Sequence, residues 1–557
     1  MGNSDFKNRF IEIHGSSMWN GFHVRRAIRF ATAHQLTGII FHCNDLIDKV
    51  VKPEKYFEKR EAMQFYKNRE GDVKNHQYYF QSILSEIKAA GLEFYAEVKE
   101  LECPREILEK YPFLRDDRGV ICPTNPFWWE YLEEKVREFI TRFPEVGGII
   151  VSPGTRESLV SFSGNKCTCR RCRSYDIHQW YRELIASMHR PLSAAGKKLI
   201  VRDFAYTPDH QTAMVEAAQL VSDDIVMALK MAPHDFYPTF PDNPTVGQCG
   251  KLEQWIEFDV WGQFFGLGVF PCSIAEDMQG RMQRYLKKGA TGIILRTDWE
   301  RLLQGSAFNS FSMCNLIAGA MLSRDVWKPL DEVYEAWVRE GLLSPLLYDS
   351  EDQKPCVPTG DHAVEALKAF MKRSWEILEK TIYVRGHVFN RNTQTFDLYY
   401  MTYYIMTVHH SREAWDPGAS QKVLPTDENI RIMFQEKDEA VRMAEELPEY
   451  IDPERLGVNA TIKEYLEFLM KAYVLFTKAM RLECRAAVRT RRALESGEEA
   501  DRSAAYAELD GVDELADALN GLVRDKGYAN SVLYVLDGER VRRFKEDIKR
   551  ELKMASK

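Results

Sequence analysis

Three observations predict a (β/α)8 TIM barrel followed by an all-α C-terminal domain. Short apolar segments alternate with amphipathic helical segments over about the first 320 residues, a pattern that implies parallel strands joined by right-handed crossovers. Each apolar segment ends in charged, amide or aromatic residues, as strands do at the working rim of such a barrel. After about Pro345 the strand patterns stop, and apolar residues recur three and four apart to the end of the chain. The expected division is therefore residues 1–345 for the barrel and 346–557 for the helical domain.

In order, Phe10–Ile13 is the first strand and ends in His14. A helix over His23–His34 carries Val24, Ala27, Ile28 and Ala31 at helical spacing. Gly38–Phe41 follows as a strand, then a helix near Gln77–Ala90, strand Leu92–Ala96, helix Trp128–Arg142 and strand Gly148–Val151. Helix Tyr175–Leu192, strand Leu199–Val201 and helix Gln211–Val221 lead to two more strands, Ile225–Leu229 and Gln254–Phe258. A helix over Ile274–Lys287 and a strand at Thr291–Leu295 close the count at eight strands. A doubly wound open sheet is the alternative, but the Gly-rich phosphate turn it calls for after the first strand is missing.

Tyr348–Gly360 is polar and contains proline, which marks a boundary. Beyond it, Asp361 can cap a helix with Val364, Leu367, Met371, Trp375, Leu378 and Ile382 in one stripe. Thr461 and Glu464 have capping-box spacing before a second stripe that runs from Leu466 to Met480. Glu495–Ser503 is polar and reads as a mobile connection.

At 557 residues the chain exceeds one hydrophobic core, and its 45% hydrophobic content is that of a globular protein. A net charge of −8 without a long basic run argues against nucleic acid as partner. The Arg485–Arg492 stretch reads as a solvated helix face. No run of about 18 apolar residues occurs, so no membrane partner is expected and the location read from the sequence is cytoplasmic. Eleven cysteines, mostly scattered singly, fit a reducing compartment.

The strand ends collect His14 and Trp19; His42, Asn44 and Asp45; Glu97 and Glu100; and Glu157. Further round come Arg202, Asp203 and Tyr206; Lys230 and Asp235; Asp259, Trp261 and Gln263; and Arg296 and Asp298. Carboxylates with aromatic platforms point to glycoside hydrolysis, in which one carboxyl protonates the leaving oxygen and another activates water or attacks. Arg and Lys on the same rim can hold a sugar acid. The competing reading is that many of these charges only solvate the rim. No Gly-x-Ser-x-Gly nucleophile motif and no His-x-x-x-His metal spacing occurs at these strand ends.

From Trp19 onwards the chain resembles the α-glucuronidase family of glycoside hydrolases, which remove glucuronic acid side groups from xylan-type oligosaccharides. The carrying segments are AIRFATAHQLTGIIFHCND, PTNPFWWEYLEEKVREFITRFPEVGGIIV, VRDFAY, LKMAPHDFYP and WIEFDVWGQFFG, with a helical stretch around Met371–Trp415. The resemblance covers most of residues 20–480, without the family's separate N-terminal α/β domain. It implies an inverting mechanism with Asp235 as general base and Glu157 as general acid. Arg202 and Lys230 fall on residues that surround the uronic carboxylate. The remaining rim residues, Trp19, His42, Asn44, Glu97, Tyr206, Asp259, Trp261, Arg296 and Asp298, are then expected to bind substrate. Gln263 stands where the family has its second catalytic carboxylate, and a neutral amide cannot accept a proton. Asp259 is the rim carboxylate able to supply that charge. The resemblance also implies that the helical C-terminal domain offers a homodimer surface.

Cys167, Cys169 and Cys172 can bind one structural Zn²⁺ if Cys122, Cys103 or His178 adds a fourth ligand; plain reduced thiols are the alternative. No cofactor is expected in catalysis. His409 and His410 read as core or domain-contact residues. The leading function is an inverting glycosidase acting on an α-linked sugar, with an acidic sugar admitted by the cations. Its rivals are a carbohydrate-binding barrel without turnover and a sugar lyase or isomerase on the same fold.

Overall fold

The computed structural model describes residues 4–57, 60–205, 207–302, 305–388, 392–395 and 412–554, with backbone alone over 60–70. Eight parallel strands close into a barrel in sequence order: β1 (Asn8–His14), β2 (Gly38–His42), β3 (Glu93–Val98), β4 (Gly148–Val151), β5 (Lys198–Arg202), β6 (Val226–Lys230), β7 (Glu253–Asp259) and β8 (Gly292–Arg296). β1 pairs with β8 as well as β2, so no edge is left open. Helices Gly21–Ala33, Arg60–Ala89, Phe127–Arg142, Ile177–Ala194, Pro208–Val221 and Ala275–Lys287 form crossovers. Between β6 and β7 the expected alternation lapses: the described chain runs from Met231 to Leu252 without a helix, and this long loop carries Asp235.

Side chains alternate across a strand, so every second residue points into the barrel. The inward residues form two layers. The lower is apolar: Phe10, Ile40, Tyr95, Ile150, Ile200, Val226, Ala228, Trp255 and Ile294 pack as a separate buried cluster. Two residues further along the strands the pattern turns polar, with Glu12, His42, Glu97, Arg202, Lys230, Glu257 and Arg296, all buried. The barrel is thus plugged below and charged above.

The C-terminal part is helical, led by Ala363–Ile382, Asp427–Glu445, the 37-residue Ala460–Ser496, Val512–Val523 and Gly538–Met554. Its one sheet element among the described residues is a two-residue hairpin, Tyr383–Val384 against His387–Val388. It packs on the barrel through the Asp259–Ser273 loop. Tyr465 donates to the Val269 carbonyl at 2.9 Å, Tyr473 to that of Pro271 at 3.2 Å and Tyr383 to that of Phe264 at 2.8 Å. Phe270 packs its ring on both Tyr473 and Phe476.

Several expectations about this region change. The first helix is preceded by His362 in the left-handed region and has no side-chain cap, and just before it Gly360 N donates to the Leu456 carbonyl. Asp361 therefore does not cap it. The long helix is capped two residues earlier than Thr461, with the Asn459 side chain accepting from Ile462 N at 3.0 Å. Within Glu495–Ser503 the connection shrinks to two residues: Gly497, at φ +72°, ends one helix and the next begins at Glu499. Arg485–Arg492 is not simply solvated either. Arg485 pairs with Glu508 and lies over Phe434, and Arg492 pairs with Asp427 and Asp501. Among the described residues no helix is long and apolar enough to cross a membrane. His409 and His410 lie outside the described residues.

Candidate active site

A narrow cleft opens at the C-terminal ends of the strands. It is lined by His14, His42, Lys99, Glu157, Arg202, Phe204, Lys230, Asp235, Phe236, Gln263, Phe264, Arg296, Trp299, Glu300 and Arg301. The first strand supplies His14 and the second His42, each by continuing the inward face beyond the apolar layer. Lys99 follows β3, Glu157 lies in the loop after β4, Arg202 ends β5 and Lys230 ends β6.

Asp235 is 8% exposed. Its carboxylate accepts from Lys230 Nζ at 3.1 Å and from the Tyr237 hydroxyl at 3.4 Å, with His234 Nε2 at 3.5 Å. Its backbone is left-handed, φ +46°, a conformation that Asp tolerates better than most residues and that clusters at functional positions. Burial lowers the Lys230 pKa, and the charge of Asp235 opposes that. Lys230 also sits 4.0 Å from the centre of the Phe204 ring. Glu157 is more open, its side chain 27% exposed, and pairs with Lys99 at 3.2 Å. Asn44 donates to the Glu157 carbonyl at 3.4 Å.

Beneath the cleft lies a charge lattice. Glu257 receives both Nε and Nη2 of Arg202 at 2.6 Å, a bidentate pair. Arg202 Nε also lies 3.3 Å from Glu97, and Ser152 donates to Glu97 at 3.2 Å. Glu12 joins His14 and takes His42 Nδ1 at 2.7 Å. Burial alone would raise Glu257, but the Arg202 charge holds it down to about 2. Burial pushes Glu97 up to about 8, against Arg202 and helped by the neighbouring Glu12 and Glu257. For His14, burial is outweighed by Glu12, which lifts it to about 9. Burial and the charges of His14, Lys99, Arg202 and Arg296 hold His42 well below its ordinary value. Glu12, His14 and His42 are close enough together to ligate a metal. The charges of Lys99, Arg202 and Arg296 that bear on His42 oppose a further cation at that spot.

A carboxyl whose folded pKa is raised from about 4.5 to about 8 stabilises the fold below pH 4.5 relative to higher pH, and that contribution is lost as pH rises through 8. Glu97→Gln, which cannot ionise, is therefore expected to lose less stability than wild type between pH 5 and 8. Urea unfolding at the two pH values checks it; parallel curves would remove Glu97 from the pH dependence.

Of the residues predicted from the sequence, the structure brings His14, His42, Glu157, Arg202, Lys230, Asp235, Gln263 and Arg296 to one cleft. Arg202 is engaged by Glu257, so it serves the lattice as well as the wall. Gln263 accepts from Arg296 Nη2 at 2.7 Å and donates to Asn392 at 2.6 Å. Trp19 and Asn44 line an adjoining cleft that shares His14, His42 and Glu300 with the first. Glu97, Asp259, Trp261 and Asp298 are buried behind the wall instead. Asp259 accepts backbone N–H groups of Trp261, Gly262 and Gln263 at 2.8–3.2 Å and lies 3.4 Å from Arg296. It shapes the turn, which needs Gly262 at φ +89°, and its oxygens are not presented to the cleft. Asp298 accepts from His14 N at 2.8 Å. Trp261 fills space beside Gly268 and Gly305, whose missing side chains leave room for its ring. Tyr206 lies outside the described residues.

Lys99, Glu257, Glu300, Phe204, Phe236 and Trp299 are site residues that sequence reasoning misses. Glu257 and Lys99 carry a usable signal: each lies two residues beyond an inward position of its strand. Glu300 follows Asp298 in the same loop and lies 3.3 Å from His14 Nδ1.

No protein-family model matches the chain, and no curated protein does. Among solved structures it is similar to a GH138 enzyme targeting pectin rhamnogalacturonan II, at 12% identity over 100% of this chain and 68% of that one, with a TM-score of 0.61. It is also similar to a GH115 4-O-methyl-α-glucuronidase with specificity for decorated arabinogalactans, at 11% identity over 98% of this chain and 62% of that one, TM-score 0.45. A third is the Thermobaculum terrenum O-GlcNAc hydrolase, at 11% identity over 99% and 96%, TM-score 0.42. These neighbours are glycoside hydrolases, and what the chain shares with the GH138 enzyme at such low identity is its fold: a closed (β/α)8 barrel continued by a helical region.

Proposed function

We propose that the chain is a glycoside hydrolase that cleaves an α-linked, acidic sugar with inversion. The observation that carries this is the placement of Glu157 and Asp235 on one cleft, each held by a lysine from a barrel strand end or the residue just past one. Glu157, the more exposed, donates its proton to the glycosidic oxygen as the bond to the anomeric carbon breaks. Asp235 takes a proton from the water that attacks the same carbon from the other face. Gln263, its oxygen fixed by Arg296, can orient that water without competing for the proton. Phe204, Phe236 and Trp299 line the cleft and supply apolar surface for the sugar.

An acidic sugar is supported by the balance of the wall. Five lining residues are Lys or Arg and three are Asp or Glu; Glu257 and Asp259 offset Arg202 and Arg296 from behind, which leaves Arg301 as the cation that supports an anionic group. The adjoining cleft past Trp19 gives room for the remainder of the glycoside.

A panel of α-linked neutral and uronic glycosides, followed by NMR, tests the reading. Hydrolysis of a uronide with the β-anomer as first product is expected, and Glu157→Gln should slow it most for substrates with poor leaving groups. Gln263 favours a second reading, a sugar-binding barrel without turnover. Binding of the same panel with no product at high protein concentration would establish that one instead.

A further inference from the structure

Beside the cleft, the loops after β3 and β4 are laced into one unit. Leu101 and Val160 form an antiparallel bridge, the Glu100 carboxylate accepts from Gly154 N, and Lys99 reaches Glu157. At the outer end of this unit four thiols converge: Cys122 from the first loop and Cys167, Cys169 and Cys172 from the second, their sulfurs all within 4.8 Å of one another. Cys103 and His178, the other fourth partners open from the sequence, are not in the group.

We infer that these four cysteines bind one structural Zn²⁺. Four thiolates at the usual Zn–S distance of ~2.3 Å in a tetrahedron stand ~3.8 Å apart. Cys122 Sγ lies 3.6 Å from both Cys169 Sγ and Cys172 Sγ, and all four cysteines are free of disulfides. The surroundings fit thiolates as well as the spacing does. Cys172 N donates to Cys169 Sγ at 3.4 Å, and the Thr124 hydroxyl lies 3.1 Å from Cys172 Sγ. Zn²⁺ with four thiolates carries a net negative charge, and Lys166, Arg170, Arg171 and Arg173 supply cations in the same short stretch. With four protein ligands no position is left for substrate or water, so the metal is a clip and not a catalyst. What it clips is specific: it ties the loop that carries Glu157 to the loop that carries Lys99. Binding displaces the thiol protons to solvent and involves no redox change.

The test uses the full chain, purified under reducing conditions from zinc-supplemented medium. About one equivalent of zinc per chain is expected by mass spectrometry of the metal, released stoichiometrically by a mercurial thiol reagent. Replacement by Co²⁺ should give the thiolate-to-metal charge-transfer bands of a tetrahedral tetrathiolate site, a readout on unaltered protein that no folding defect can mimic. Cys169→Ser should lose the metal, while Cys103→Ser should keep it. Less than about 0.1 equivalent after reconstitution, with all four thiols freely titratable in the native protein, would overturn the inference and leave plain reduced cysteines.

Discussion

Asp235→Asn is expected to lower kcat on the uronide substrate by about 10²–10⁴-fold, the usual contribution of a general base. The amide oxygen can still accept from Lys230 and the amide N–H can donate to the Tyr237 hydroxyl, so the side chain keeps its place, but it cannot take the proton of the attacking water. Because that proton moves only in the transition state, kcat and kcat/KM should fall together. Folding should survive the change. Burial already depresses the Lys230 pKa, so without its partner Lys230 can shed its proton and avoid standing as an unpaired charge. Steady-state kinetics with a thermal melt on the same samples decides it. A variant that melts like wild type and turns over like wild type would remove Asp235 from the chemistry.

Glu257→Ala is expected to reduce stability by about 3–5 kcal/mol, the usual result of removing one partner from a buried ion pair. Arg202 is almost wholly buried and would lose both short bonds, keeping Glu97 as its remaining carboxylate neighbour. That neighbour moderates the loss. Glu97 is protonated near neutrality because burial penalises its charge and Glu12 and Glu257 repel it; with Glu257 gone, Arg202 draws it into ionising. Denaturant unfolding measures the cost, and the double variant with Glu97→Gln measures the moderation. The pair should cost more than the sum of its parts. A loss under about 0.5 kcal/mol for Glu257→Ala would show that Arg202 does not depend on the pair, since that is the range of ordinary surface substitutions.

The barrel is legible in the sequence because its evidence is local. Strand segments such as Gly148–Val151 and the rim residues that follow them are written in consecutive positions, and the observed strands differ from the expected ones by a residue or two at most ends. Which rim residues face the cleft is less legible. Asp259 and Trp261 follow β7 where catalytic residues of a barrel are expected. The Asp259 carboxylate closes a turn on backbone N–H groups, however, and Trp261 points into space left by Gly268 and Gly305. Neither arrangement is visible from within the strand. Glu257 escapes notice for the opposite reason. Inside an apolar segment it looks like an interruption, and only period-two counting along β7, from Trp255 through Glu257, reveals it as part of the polar layer. Likewise the helix starts at Asn459 and His362 depend on where the chain is held by distant segments, as Gly360 is by Leu456.

One contact reaches further than its size implies. Asn392, from the helical part of the chain, accepts the Gln263 amide and donates to the Tyr534 hydroxyl, while Thr393 N donates to the Gln263 carbonyl. Tyr534 in turn lies edge-on to Trp299 in the cleft wall. A residue at the floor of the pocket is thus held from outside the barrel, by a strap that passes from the barrel rim to nearly the last helix. The candidate site therefore draws on residues beyond 345, and the helical part of the chain helps to hold its wall. An insertion or deletion that shifts Asn392 by one position is expected to disturb the candidate pocket, although Asn392 lies 129 positions along the chain from the glutamine it holds.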